Sequence, residues 1–215
     1  MGLPRIPSYD LPTAADLPAA RVGWQPDPAR AVLLVHDLQN HFLDAFDRGR
    51  APVPQLLGTV ARIAAQCRAL GVPVVYTAQP GGQTPEQRGL LQDFWGDGVP
   101  PGGRATAIAD EVAPADGDVL LTKWRYSAFQ RTGLRELLAD LGRDQLVVCG
   151  IYAHIGCLMT ACDAFMQDVQ PFLVADAVAD FSADHHAEAL CWAASRCAVT
   201  LTADALLGSL ARVPA

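Results

Sequence analysis

The chain has 215 residues, 51% of them apolar and 18% charged, with 16 basic against 23 acidic side chains and a formal net charge of −7. That length and apolar content support a hydrophobic core and exclude a disordered chain, which would be poor in apolar residues and rich in charge. The acidic balance and the lack of any Lys/Arg cluster exclude a nucleic-acid surface.

The longest apolar runs, such as residues 31–35, fall far short of the ~20 residues of a spanning helix. The N-terminal residues lack the shape of a signal peptide. The expected setting is therefore cytoplasmic, with no membrane and no nucleic acid as partner. Six cysteines stand at 67, 149, 157, 162, 191 and 197. None forms a C-x-x-C pair and their spacings match no zinc signature, so reduced thiols, mostly packed in the core, are expected rather than a metal or disulfide framework.

In chain order, residues 1–30 carry prolines at 4, 7, 12, 18, 26 and 28 and no periodicity, the pattern of an extended arm over the surface. Continuous apolar runs follow at 31–37, 73–79, 118–123, 145–151, 171–177 and 198–202, as in strands buried on both faces of a parallel sheet. Between them lie segments of helical period. Val53, Leu56, Leu57, Val60, Ile63, Ala64, Cys67 and Leu70 mark a first helix, closed by Gly71. Leu134, Leu137, Leu138 and Leu141 mark another, and Leu158 to Val169 a third. Ser182 can N-cap a helix running to about Arg196. This alternation predicts a doubly wound α/β fold: one domain over 1–215, with a six-stranded, mainly parallel sheet between helices on both faces, in three αβα layers. Residues 80–117 are too long for an ordinary connection. They form either a lid over a site or an insertion without a role.

Ligands of open α/β sheets bind beyond the carboxyl ends of the strands. The first strand ends in His36-Asp37, the second in Gln79, the third in Lys123 and the fourth in the turn 150–156. An acid and an ammonium converging on one rim make a plausible acid–base pair, although singly Asp37 could cap a turn and Lys123 could be a solvated strand end.

Several longer motifs carry a resemblance. They are His36-Asp37-Leu38-Gln39-Asn40-His41-Phe42, Tyr76-Thr77-Ala78-Gln79-Pro80-Gly81, residues 87–96, Leu121-Thr122-Lys123-Trp124-Arg125-Tyr126-Ser127 and Gly150-Ile151-Tyr152-Ala153-His154-Ile155-Gly156. Together with residues 163–165, 171–177 and 179–182 they resemble the isochorismatase family over nearly the whole chain from Arg30.

The resemblance implies hydrolysis of the enolpyruvyl vinyl ether of isochorismate to pyruvate and 2,3-dihydro-2,3-dihydroxybenzoate, by acid catalysis and without a cofactor. Relatives in the wider superfamily, such as nicotinamidases, use an Asp–Lys–Cys triad. Here Gly156 stands where that cysteine would be, with Cys157 one residue later. On a helix one residue turns a side chain by about 100°, so a thiol at 157 points away from Asp37 and Lys123. A packed thiol and a nucleophile activated at a helix start are the two readings of Cys157.

By the same resemblance Asp37 donates the proton, although an ordinary aspartate has a pKa of about 3.9. Burial and substrate charge raise that value, and Lys123 lowers it. Lys123 then holds Asp37 and contacts the substrate. Arg88 grips a carboxylate, Gln79 donates from its amide, and Phe42, Trp95 and Tyr152 form an apolar wall. Backbone N–H groups from Tyr152 to Gly156 form an anion site, and glycine at 156 lets the substrate approach the backbone. The resemblance also implies a cis Ile151–Tyr152 peptide and a homodimer.

The expected partner is a small anion, isochorismate or its 2-amino-2-deoxy analogue, which is the phenazine-type substrate. A more distant alternative is a nicotinamidase-like amidase using Cys157. Asp184, His185 and His186 do not share a helix face and are not expected to hold a metal. Leu207-Gly208-Ser209-Leu210 lacks the Asp before serine of a phosphopantetheine site, so no carrier role is expected.

Overall fold

Continuous β-branched runs can be buried on both faces only between two layers of helices, and each of the six runs becomes a strand. The computed structural model describes residues 3–212. Its first half holds β1 (Ala31–His36), α1 (Asn40–Leu43), α2 (Val53–Ala69), β2 (Val74–Ala78), α3 (Pro85–Arg88), α4 (Leu91–Trp95), α5 (Gly103–Thr106) and β3 (Val119–Thr122). There follow α6 (Leu134–Asp140), β4 (Gln145–Ile151), α7 (Leu158–Met166), β5 (Gln170–Ala179), α8 (Ala183–Arg196), β6 (Val199–Leu201) and α9 (Ala203–Leu210).

The strands form one sheet in the order β3-β2-β1-β4-β5-β6, and every neighbouring pair is parallel. Successive residues of a strand face opposite sides. Leu33 and Val35 of β1 therefore pack with α2 and α9, while Val32 and Leu34 pack with α6, α7 and α8. Ser182 caps α8 as its sequence position predicts, accepting a hydrogen bond from the His185 N–H at 3.2 Å.

Four expectations need correction. β3 is not buried on both faces: it lies at the sheet edge and leaves Leu120 58% exposed. A ninth helix follows β6, capped by Thr202 and anchored by Leu206 and Leu210, where no helix was expected. Residues 80–117 hold three short α-helices where no element was assigned; Thr84 caps α3, with Pro85 in its first turn. The N-terminal arm does more than cross the surface. Ile6 is buried in the core and its N–H donates to the Ala45 carbonyl at 2.9 Å. Among the described residues no helix is long and apolar enough to cross a membrane.

Candidate active site

The chain leaves β1 towards β2 on one side and β4 towards β5 on the other, so a crevice opens between the carboxyl ends of β1 and β4. Asp37 follows β1 directly, in the left-handed region at φ 49°, a conformation that non-glycine residues adopt mainly where the surroundings enforce it. Its carboxylate is almost fully buried. Oδ1 accepts from the Thr77 hydroxyl at 2.6 Å, and Oδ2 accepts from the Gln79 amide at 3.1 Å. Lys123 Nζ lies 2.9 Å from Oδ2. Lys123 is itself 1% exposed, and its ammonium also donates to the carbonyls of Arg125 at 2.7 Å and Tyr126 at 3.4 Å.

Burial pushes the Asp37 carboxyl up, but Lys123, His36 and the Thr77 hydroxyl outweigh it and hold the group below the usual carboxylate range. Asp37 is therefore ionised at neutral pH. The opposing effects of burial and Lys123 had been left undecided by sequence, and the ammonium prevails.

Gln79 links this pair to Arg88. Its side-chain oxygen stands 3.5 Å from an Arg88 terminal nitrogen, and Arg88 Nε donates to the Gly96 carbonyl at 2.8 Å. Gly98, at φ 75°, lies so close to the guanidinium that a Cβ there would come within 3.0 Å of three of its atoms. Arg88 is 4% exposed, and burial pushes its pKa below the ordinary arginine range. No carboxylate among the described residues forms an ion pair with it.

The pocket is lined by Asp37, Lys123, Gln79, Arg88, Phe42, Trp95, Tyr152 and Gly156, so every residue expected at the site reaches it. Arg88 and Trp95 come from residues 80–117, which places that connection at the pocket rather than away from it. Trp95 Nε1 donates to the Tyr126 hydroxyl at 2.6 Å, and the Tyr152 hydroxyl donates to the Phe42 carbonyl at 2.7 Å. The Ile151–Tyr152 peptide is cis, as the resemblance implied.

Three features differ from expectation. Of the backbone N–H groups around Tyr152 and Gly156, those of His154, Ile155 and Cys157 are already bonded, to Asp180 and to the Tyr152 carbonyl, which narrows the expected anion site. Gly156 lines the pocket, but the space its missing side chain leaves is filled by the His36 ring rather than left open to substrate. Leu3, His36, His41, Arg125 and Tyr126 also line the pocket and were not singled out. The motif holding Arg125 and Tyr126 pointed to the third strand's end, but nothing in it tells which way those side chains turn.

Cys157 is fully buried, away from the pocket lining, and packs in the apolar cluster beneath α7 and α8. Burial pushes its thiol well up, against thiolate formation. Cys157→Ala is expected to leave turnover within about twofold of wild type, because no nucleophile is removed. Loss of activity on alkylation or on this substitution, measured by product release, would restore the amidase reading. Cys191 is exposed, unlike the core thiols expected of the set.

A buried carboxylate–ammonium pair, beside guanidinium groups without carboxylate partners among the described residues, is an arrangement that can serve acid–base chemistry. Comparison with known proteins agrees. The isochorismatase domain model matches residues 31–205. An isochorismatase of Bacillus subtilis is 55% identical over 215 residues, covering 100% of this chain and 69% of that protein. Phenazine biosynthesis protein PhzD of Pseudomonas fluorescens is 52% identical over 94% of this chain and 97% of its own length. A cysteine hydrolase structure from Pseudomonas syringae shares the fold, with TM-score 0.78 at 20% identity over 89% of this chain and 96% of that one. The chain belongs to the isochorismatase family and is a hydrolase.

Proposed function

We propose that this enzyme hydrolyses the enolpyruvyl vinyl ether of isochorismate, with Asp37 as the proton donor. The observation that carries this reading is the Asp37–Lys123 pair facing a pocket whose other charged groups, Arg88 and Arg125, have no acidic partner among the described residues. A dianion satisfies both guanidinium groups. Placed beside Asp37, its negative charge raises the carboxyl pKa, so proton uptake accompanies binding.

The Asp37 proton then forms a C–H bond at the terminal vinyl carbon, and the ether carbon becomes an oxocarbenium ion. Water adds to that carbon and returns a proton to Asp37. The resulting hemiketal loses its hydroxyl proton and breaks its bond to the ring oxygen, which takes up a proton, giving pyruvate and the dihydrodiol. Lys123, itself held by the Arg125 and Tyr126 carbonyls, contacts the carboxylate and offsets negative charge, while Phe42, Trp95 and Tyr152 exclude bulk water.

The second reading is the same step on 2-amino-2-deoxyisochorismate, giving trans-2,3-dihydro-3-hydroxyanthranilate; it is favoured by the likeness to a phenazine biosynthesis protein. Turnover of the two substrates side by side, read as pyruvate release, separates them. Absence of pyruvate from both overturns the reading.

A further inference from the structure

His36 takes no step in the mechanism above, yet it is buried at the site and held there on both ring nitrogens. It is 1% exposed at the end of β1. Its Nδ1 lies 2.9 Å from the Ile151 carbonyl oxygen and 3.9 Å from Asp37 Oδ1, and its Nε2 lies 3.3 Å from the Tyr126 carbonyl oxygen. One ring thus touches three segments: the Asp37 turn, the Ile151–Tyr152 link after β4, and the 123–126 turn that brings Lys123. The Tyr126 carbonyl it faces also accepts from the Lys123 ammonium.

Position 156 completes the picture. A Cβ there would overlap the ring at Cε1 and come within 3.0 Å of both ring nitrogens. The ring is boxed in by main chain on two sides, so it cannot swing aside as a flexible side-chain end would.

We propose that His36 is a positioning residue for vinyl-ether hydrolysis, and that residue 156 is glycine because the His36 ring occupies its side-chain space. The proposal rests on the reading of Asp37 as the acid. Burial pushes the imidazole pKa down to about 4, so the ring is neutral at working pH and has a single N–H. That N–H donates to the nearer carbonyl, of Ile151. The neutral ring holds the Asp37 turn and the Lys123 turn apart at a fixed distance, and small displacements at an acid–base pair are costly to rate.

The test is a double-mutant cycle on the full chain, read as kcat and KM for pyruvate release and as Tm: wild type, His36→Ala, Gly156→Ala and the double variant. His36→Ala is expected to lower kcat about tenfold with KM nearly unchanged, and His36→Asn, which keeps one donor for Ile151, to recover part of that loss. Gly156→Ala is expected to lower kcat by about 10²-fold, because the methyl overlaps the ring and forces the packed segments around it to shift. In the double variant the methyl enters vacated space, so it should be roughly tenfold more active than Gly156→Ala alone.

Wild-type kcat in either single variant overturns the proposal. So does a double variant no better than Gly156→Ala, which would mean that the glycine admits substrate. If Gly156→Ala does not fold, recovery of folding in the double variant supports the proposal, and its absence overturns it. Wild-type activity distinguishes failure of this proposal from failure of the parent reading: with no pyruvate from wild type, both fall.

Discussion

Asp37→Asn is expected to lower kcat by about 10²–10⁴-fold, the range for loss of a positioned general acid. The same substitution strips a buried ammonium of its partner. Breaking a buried ion pair on one side costs about 3–5 kcal/mol, because the remaining charge stays uncompensated. The fold should therefore weaken along with the activity, and the two effects need separating. Asp37→Asn/Lys123→Met removes both charges. It should recover much of the stability in denaturant unfolding while leaving turnover at the Asp37→Asn level. Recovery of turnover in the double variant would exclude Asp37 as the acid.

The pH dependence follows from the lowered Asp37 pKa. The profile of kcat/KM reports free enzyme, in which the active, protonated form is a small fraction. That fraction falls about tenfold for each unit above the carboxyl pKa. Log kcat/KM should therefore decline steadily with rising pH through the neutral range. The decline in kcat should be shallower, since bound substrate raises the same pKa. Stability runs in the opposite sense. The ionised pair contributes above the unfolded carboxyl pKa, and that contribution is lost as pH falls through the lowered folded value.

Arg88→Ala should raise KM by about 10²-fold, because truncating one side of a buried charged contact costs upward of 2 kcal/mol. Arg88 has no acidic partner among the described residues, so its removal relieves a buried charge and should not destabilise the fold comparably. Raised KM with unchanged or raised Tm is thus the signature of a group held ready for an anion. Arg88→Lys should restore little, since an ammonium cannot reproduce the planar two-point contact. If Arg88→Ala leaves KM unchanged, the carboxylate sits elsewhere, and Arg125 is the next group to test.

Asp37, Gln79 and Lys123 could be found from sequence because they close uninterrupted apolar runs, and the strand pattern alone delivers such residues to one rim. Arg88 and Trp95 had no such pattern; motif likeness alone pointed to them, since two short helices, α3 and α4, bring them to the pocket. The relation between His36 and Gly156 was out of reach. The two positions are 120 residues apart in sequence, and their contact exists only because β1 and β4 are neighbours. The charge state of Asp37 was out of reach for a different reason. It is the difference of two opposing effects, and only distances decide which is larger.

The overlap between position 156 and the imidazole also bears on how new chemistries arise in this fold. A cysteine gained at 156 would strike the ring, and a ring lost first would leave a void beside the acid. Either change alone passes through a crippled intermediate. Exchange between thiol-based and proton-based hydrolysis at this crevice therefore requires two coupled substitutions, an evolutionary step of width two. Attempts to engineer the exchange should begin from the pair and not from either residue.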